Sequence, residues 1–334
     1  MIVWLKFALC ASALIYAGYK LSYYGNIISE KTNLTKSLMG FFFLSLATSL
    51  PEFVTSGSSA SVFHSADLAL GDLFGTIIIN LMIIALLDLI QGKGALMIKA
   101  KQSHILCIAL TVILLTCVSF SVLLRKSLNS NLTVLGMGAE SWLLIFIFLI
   151  GLKLIWGMER REGKTSLASK QSSPLKESLS LRRSVVGFSL SFLAIVFLGI
   201  WLAAVASEIV EIMDWSETLV GTFLLGLVTS LPELIVSISA LRFNVDMAIG
   251  NILGSNFFDL MIIPLCDSLL GQSQIFSLVN SSHLFTLTLA VLMNSILIVG
   301  LIYRSSKSFL KMGWEIIAMT VTFAAGTYFL FSLG

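Results

Sequence analysis

"SLATSLPEFVTS", residues 45–56, places a proline next to a glutamate inside an apolar stretch. Hydrocarbon penalises both, because proline donates no backbone hydrogen bond and a carboxylate loses its hydration there. The pattern returns as "GLVTSLPELIVS", residues 226–237. At this offset of 181, Gly18 pairs with Gly199, Gly40 with Gly221, Thr48 with Thr229, Ser49 with Ser230, Pro51 with Pro232, Glu52 with Glu233 and Ser56 with Ser237. Further on, an offset of 179 pairs Asp67 with Asp246, Gly71 with Gly250, Gly75 with Gly254, Thr76 with Ser255, Asn80 with Asp259 and Asp88 with Asp267. The chain is an internal repeat, and the proline–glutamate motif is half of something that needs both copies.

The surrounding composition belongs to a polytopic membrane protein. Of the 334 residues, 57% are hydrophobic and 12% charged, with a mean hydropathy of +0.97; soluble domains lie near 45–50% and about 25%. A net charge of +3 gives no reason to expect nucleic acid as a partner. Cys10, Cys107, Cys117 and Cys266 fall in apolar runs without CxxC spacing, so packed free thiols are expected. Hydropathy with breaks at polar clusters gives ten spans, at 3–24, 37–61, 67–91, 103–124, 132–156, 185–208, 217–241, 246–270, 282–303 and 310–332. The run 2–23 carries Lys6 but lacks a small-residue cleavage site, and it is long enough to be the first helix. The runs show none of the alternation of barrel strands, so the chain is expected to be all-helical.

The polar segment 159–184 reads as a flexible cytoplasmic linker between two five-helix halves, 1–158 and 185–334. Eighteen of the 21 Lys and Arg fall on one side of the ten-span layout, leaving Lys6, Arg125 and Lys126 on the other. The positive-inside rule then puts the linker in the cytoplasm and both termini outside. Five is odd, so the second half must enter the membrane from the opposite face. Inverted repeats of this kind are the architecture of secondary transporters, whose broken helices form an ion site near the bilayer midplane.

The chemistry of the repeated segments fits such a site. In a helix, Ser45, Thr48, Ser49 and Glu52 share one face, as do Gly226, Thr229, Ser230 and Glu233. Pro51 and Pro232 leave the carbonyls of Ala47 and Val228 without helical partners. The next span of each half adds Thr76 and Asn80, or Ser255 and Asp259, and Gly71, Gly75, Gly250 and Gly254 leave a smooth face for close helix approach. Hydroxyl, carbonyl and carboxylate oxygens are the hard ligands that Ca²⁺ takes, about 6–8 at a time, and Na⁺ shares the preference.

The two "TSLPE" segments, each followed by "D-x-A-x-G-x-x-x-G-[ST]", resemble the α-repeats of the cation/calcium exchanger superfamily, in particular prokaryotic sodium/calcium exchangers. The motifs cover 37–91 and 217–270, and the ten-span layout extends the likeness to the whole chain. The resemblance implies the sodium/calcium exchanger fold, electrogenic antiport and no cofactor beyond the transported Ca²⁺ and Na⁺. It implies an ion site of Thr48, Ser49, Glu52, Thr76, Asn80, Thr229, Ser230, Glu233, Ser255 and Asp259, with backbone oxygens at Ser45 and Gly226. It also implies eight helices around the site, with the first and sixth sliding across them. The chain departs from the family at "GDLFGTIIIN", where Asp72 stands for Asn, Thr76 for Ser and Ile77 for Asn, and at Ala47 and Val228, which stand for Gly.

The expected activity is exchange of cytoplasmic Ca²⁺ for external Na⁺ in a prokaryotic inner membrane, with the ions and the bilayer as partners and no obligate protein partner. H⁺ in place of Na⁺ is the alternative, since a carboxylate desolvated in the membrane can take a proton. A reading from another class, an intramembrane hydrolase using Asp88 and Asp267, lacks a nucleophile–base arrangement. Asp88 and Asp267, near helix ends, are expected to reach toward the interface, as are His64, His104 and His283. Asp72 is expected on an access path or as a capping or water-facing group, and Glu140 is left without a role.

Overall fold

The computed structural model describes residues 2–31, 39–91, 96–101, 103–128, 133–134, 136–166, 180–241, 245–270, 275–304, 308–309 and 312–333. Among them, eight helices are long and apolar enough to cross a bilayer: Ile2–Leu21, Ala66–Gln91, Ser103–Lys126, Ala139–Glu159, Leu181–Met213, Glu217–Ile238, Val245–Leu269 and Ser282–Tyr303. The other two expected spans take different forms. Of the expected span 37–61, the described residues 39–61 divide into a π-helical turn, Met39–Leu44, and two α-helices, α2 (Ser45–Thr48) and α3 (Leu50–Ser61), following α1 (Ile2–Lys31). The last helix begins at Trp314 rather than at residue 310.

From there the first half runs through α4 (Ala66–Gln91), α5 (Leu96–Lys99), α6 (Ser103–Leu128) and α7 (Ala139–Ser166). The second runs through α8 (Leu181–Met213), α9 (Glu217–Leu219), a π-helical turn at Val220–Leu225, α10 (Gly226–Thr229), α11 (Leu231–Leu241), α12 (Val245–Leu269), α13 (Ile275–Leu278), α14 (Ser282–Tyr303) and α15 (Trp314–Leu333). Among the described residues, the chain is all-helical apart from two short β-turns. β1 (Thr133–Val134) pairs antiparallel with β2 (Met137–Gly138), and β3 (Ser308–Phe309) with β4 (Met312–Gly313). At the edges of the expected linker, α7 continues through Ser166 and α8 begins at Leu181. Straight-chain Glu, Arg and Lys favour helix even where hydropathy falls. Residues 167–179 of the expected linker lie outside the described residues.

Apolar side chains form two clusters. The larger holds the inner faces of α4, α6, α7, α12, α14 and α15; the smaller joins α1 to α8 and takes in Ala47, Leu68, Val220, Leu225 and Val228. The α1–α8 pair is therefore a separate layer laid against the bundle. Ala47 and Val228, the two departures from Gly, turn their side chains into this layer. The layers touch closely where a side chain is missing: a Cβ on Gly18 would lie 2.7 Å from the ring of Pro232, and one on Gly199 2.6 Å from Val54. α4 and α12 are the most enclosed of the eight spans. All four cysteines are free.

The expectation that Asp88 and Asp267 reach the interface is corrected. Both are buried, at 2% and 1% exposure. Asp88 accepts the N–H of Leu96 at 2.6 Å and of Gly313 at 3.3 Å. Asp267 accepts Ile275 N–H at 2.8 Å, Gly138 N–H at 2.9 Å and Ser141 Oγ at 2.6 Å. Each carboxylate thus ties the start of a short helix eight residues on to a β-turn from a different part of the chain. Each is satisfied by otherwise orphaned backbone donors, which accounts for its burial. His104 and His283 are likewise buried rather than interfacial, 3.2 Å from Asp246 and Asp67 respectively.

Candidate cation site

The two proline motifs break their helices at the same point. Pro51 and Pro232 each lie at the second residue of their helix, where a missing N–H costs least. Of the residues just before these helices, Ser49 (φ −79°, ψ 4°) leaves the helical region for the sparsely populated one between α and β, and Ser230 (φ −77°, ψ −7°) stays on the helical side of it. A π-helical turn precedes each break, and such turns recur at functional sites because the extra residue per turn re-aims the side chains that follow. Hydropathy could not have found the turns, since the residues in them are as apolar as their neighbours.

Close backbone approach brings the halves together here. A Cβ on Gly75 of α4 would lie 2.0 Å from the carbonyl oxygen of Thr222, in the second π-turn. In the mirrored place, a Cβ on Gly254 of α12 would lie 2.6 Å from Phe41 O, in the first. No side chain larger than hydrogen fits at either position.

Every residue expected at the site is buried. Ser49 Oγ lies 2.6 Å from Ser255 Oγ, and Ser255 Oγ donates to Glu233 Oε1 at 2.9 Å. Thr76 Oγ1 lies 3.1 Å from Thr229 Oγ1 and 3.5 Å from Gly226 O. Asn80 Nδ2 donates to Asn256 Oδ1 at 2.8 Å. All of these except Ser255–Glu233 join one half to the other. Ser230 Oγ bonds back to Gly226 O at 2.6 Å, Thr48 Oγ1 to Ser45 O at 3.2 Å and Ser45 Oγ to Phe41 O, the local pattern of hydroxyls near a helix break. Gly226 O also receives the Ser230 N–H, so it serves a cation only when a hydroxyl turns away.

Three residues outside the expected set belong to this network. Asp72 is fully buried and accepts Ser56 Oγ at 2.8 Å and Thr229 Oγ1 at 2.9 Å, so it is neither a cap nor water-facing. Asn251 donates to Ser237 Oγ at 3.1 Å and lies 3.4 Å from Thr48 Oγ1, and Asn256 meets Asn80. The repeat carried a signal for the first two, because positions 72 and 251 correspond at the same 179-residue offset and both are polar.

The electrostatics are one-sided. Glu52 feels the charges of Glu233, Asp259 and Asp72, all repulsive. No Lys, Arg or His forms an ion pair with any of these four among the described residues. Six oxygens, both of Glu52, both of Asp259, Oε2 of Glu233 and Oδ1 of Asn80, are buried without a hydrogen-bond partner. Leaving such groups unpaired costs several kcal/mol each for ionised carboxylates, a cost that a proton or a bound cation relieves. Among the described residues, no three of His, Cys, Asp and Glu converge closely enough to hold a metal alone. The hydroxyl and amide oxygens around the carboxylates are hard ligands of the kind that oxygen-preferring cations take.

The family described as sodium/calcium exchanger protein matches residues 2–156 and 183–332. The inner membrane protein YrbG of Escherichia coli is 28% identical over 258 residues, which is 75% of this chain and 74% of that protein. Of solved structures, the sodium-calcium exchanger NCX_Mj superposes with a TM-score of 0.58 at 20% identity, over 97% of each chain. The H⁺/Ca²⁺ exchanger CAX gives a TM-score of 0.72 at 14% identity, over 99% of this chain and 85% of that one. At these identities the structural likeness speaks to fold alone, and it extends over nearly the whole chain.

Proposed function

Because this chain belongs to the sodium/calcium exchanger family, we propose that it is a secondary antiporter that exchanges Ca²⁺ for Na⁺ by alternating access. The observation that carries this reading is the set of six buried, unpartnered oxygens on Glu52, Asn80, Glu233 and Asp259. Carboxylate, amide and hydroxyl oxygens of this kind are the hard ligands that Ca²⁺ and Na⁺ share. One Ca²⁺ or several Na⁺ neutralise the same carboxylates, and the two sets exclude each other. Competition for shared ligands is the coupling: a site stripped of both leaves uncompensated buried charge, so it crosses the membrane only when loaded.

Two inverted five-helix repeats complete the reading, with both termini outside and the 159–184 segment cytoplasmic. The repeat is supported by constellations that recur at fixed offsets. Asp88 with Leu96 and Gly313 matches Asp267 with Ile275 and Gly138; Asp67 with His283 matches Asp246 with His104. Each links one half to the other, as expected of two copies interleaved about a pseudo-two-fold axis in the membrane plane. The layer formed by α1 and α8 is the element that slides, exposing the site alternately to each face. In this reading Asp88 and Asp267 are structural, since both are engaged by backbone donors in separate turns, which leaves the hydrolase reading no carboxylate pair.

The test is ⁴⁵Ca²⁺ uptake into proteoliposomes with an imposed outward gradient of Na⁺ or of H⁺. Uptake driven by Na⁺ and abolished by its removal is expected. Uptake indifferent to Na⁺ but driven by ΔpH would replace Na⁺ by H⁺ as the coupling ion.

A further inference from the structure

The network around Asp72 has a counterpart in the other half that differs by one charge. In the first, Asp72 on α4 accepts Ser56 Oγ from α3 at 2.8 Å and Thr229 Oγ1, at the end of α10, at 2.9 Å. In the second, Asn251 on α12 meets Ser237 Oγ from α11 at 3.1 Å and Thr48 Oγ1, at the end of α2, at 3.4 Å. The residues correspond one to one, Ser56 to Ser237, Thr229 to Thr48 and Asp72 to Asn251. The neutral version shows that an amide satisfies the same two hydroxyls. A structural role would not require a carboxylate at 72.

The carboxylate is the expensive choice. Asp72 is fully buried in a membrane-spanning helix, and its charge repels those of Glu52, Glu233 and Asp259. No basic side chain forms an ion pair with it among the described residues. Two hydroxyl donors leave each carboxylate oxygen a free lone pair but supply no net positive charge. Thr76 Oγ1, 3.1 Å from Thr229 Oγ1, brings a third hydroxyl to the same place.

We propose that Asp72, with the hydroxyls of Ser56, Thr76 and Thr229, forms a monovalent-cation subsite for Na⁺ that the second half lacks. One carboxylate and three hydroxyls supply a single charge and too few oxygens for Ca²⁺, which leaves a hard monovalent ion as the fitting occupant. The subsite rests on the exchanger reading and extends it: Thr229 belongs to both networks, so a Na⁺ here is released together with those on the shared carboxylates. The protein then carries one more Na⁺ against each Ca²⁺ than the same site with asparagine at position 72.

Displacement of ⁴⁵Ca²⁺ from purified full-length protein by NaCl, at constant pH and with choline chloride holding ionic strength, tests this. Asp72→Asn should fold, because Asn251 occupies the matching position. The Hill slope of displacement by Na⁺ is expected to fall by about one relative to wild type, since the slope is bounded by the number of sites. Equal slopes, or a monodisperse Asp72→Asn protein that binds no ⁴⁵Ca²⁺, would overturn the subsite; a wild type that binds no ⁴⁵Ca²⁺ removes the exchanger reading beneath it. If Asp72→Asn does not yield monodisperse protein, Ser56→Ala is read instead: a severalfold rise in the Na⁺ concentration for half displacement supports the subsite, and no rise overturns it.

Discussion

Glu52 and Glu233 sit at corresponding places in the two motifs but in different company. Glu233 receives the Ser255 hydroxyl, while Glu52 receives none. Both are expected to be indispensable, because each supplies a full charge that no neighbour replaces. Losing one charged ligand at about 3 kcal/mol weakens binding roughly 100-fold. Glu52→Gln and Glu233→Gln should each show that loss in ⁴⁵Ca²⁺ binding and abolish exchange; full activity in either would remove it from the site. At Gly75, the test concerns packing. An added methyl would meet Thr222 O at 2.0 Å, so Gly75→Ala must push the π-turn away, at roughly 1–3 kcal/mol. A lower melting temperature in detergent is expected, and an unchanged one would mean that the contact gives freely. These residues were legible in the sequence because the repeat writes each of them twice. Asp88, Asp267, His104 and His283 were misjudged because hydropathy treats a polar residue near a span's end as facing water, and cannot see a turn from elsewhere folding over it.

Helices are where hydropathy does best and where its boundaries mislead. Eight spans stand close to where apolar runs put them, because a run long enough to cross lipid has to satisfy its backbone internally. The π-turns at Met39–Leu44 and Val220–Leu225 and the two β-turns escaped because they depend on backbone partners rather than on composition. Asp267 illustrates what those turns depend on. It holds three donors, and asparagine can accept on only one oxygen, leaving a buried N–H or hydroxyl unpaired at about 1–3 kcal/mol. Asp267→Asn should therefore lower the melting temperature, while the folded fraction still exchanges Ca²⁺ at wild-type apparent affinity. A Ca²⁺ affinity that fell with stability intact would instead connect this turn to the ion site.

At the scale of the molecule, the two apolar clusters divide the labour: a bundle that holds the oxygens, and a pair of long helices laid over it. Between them lie apolar side chains such as Leu68, Val220 and Leu225, with two close approaches at Gly18 against Pro232 and Gly199 against Val54. α8 carries 33 residues, about 50 Å at the helical rise, and its apolar stretch between Arg183 and Glu208 is alone about 36 Å. The hydrocarbon layer is about 30 Å thick, so this helix lies tilted or thickens the lipid around it. Any slide of the α1–α8 layer that changes the tilt does work on the bilayer. Exchange rates in liposomes of short-, medium- and long-chain phosphatidylcholine should accordingly pass through a maximum while Ca²⁺ affinity stays level, and a rate indifferent to chain length would show that the layer moves without tilting. The length of α8 thus makes lipid thickness a mechanical load on the transport cycle, a setting of the protein's speed held by the membrane rather than by the ion site.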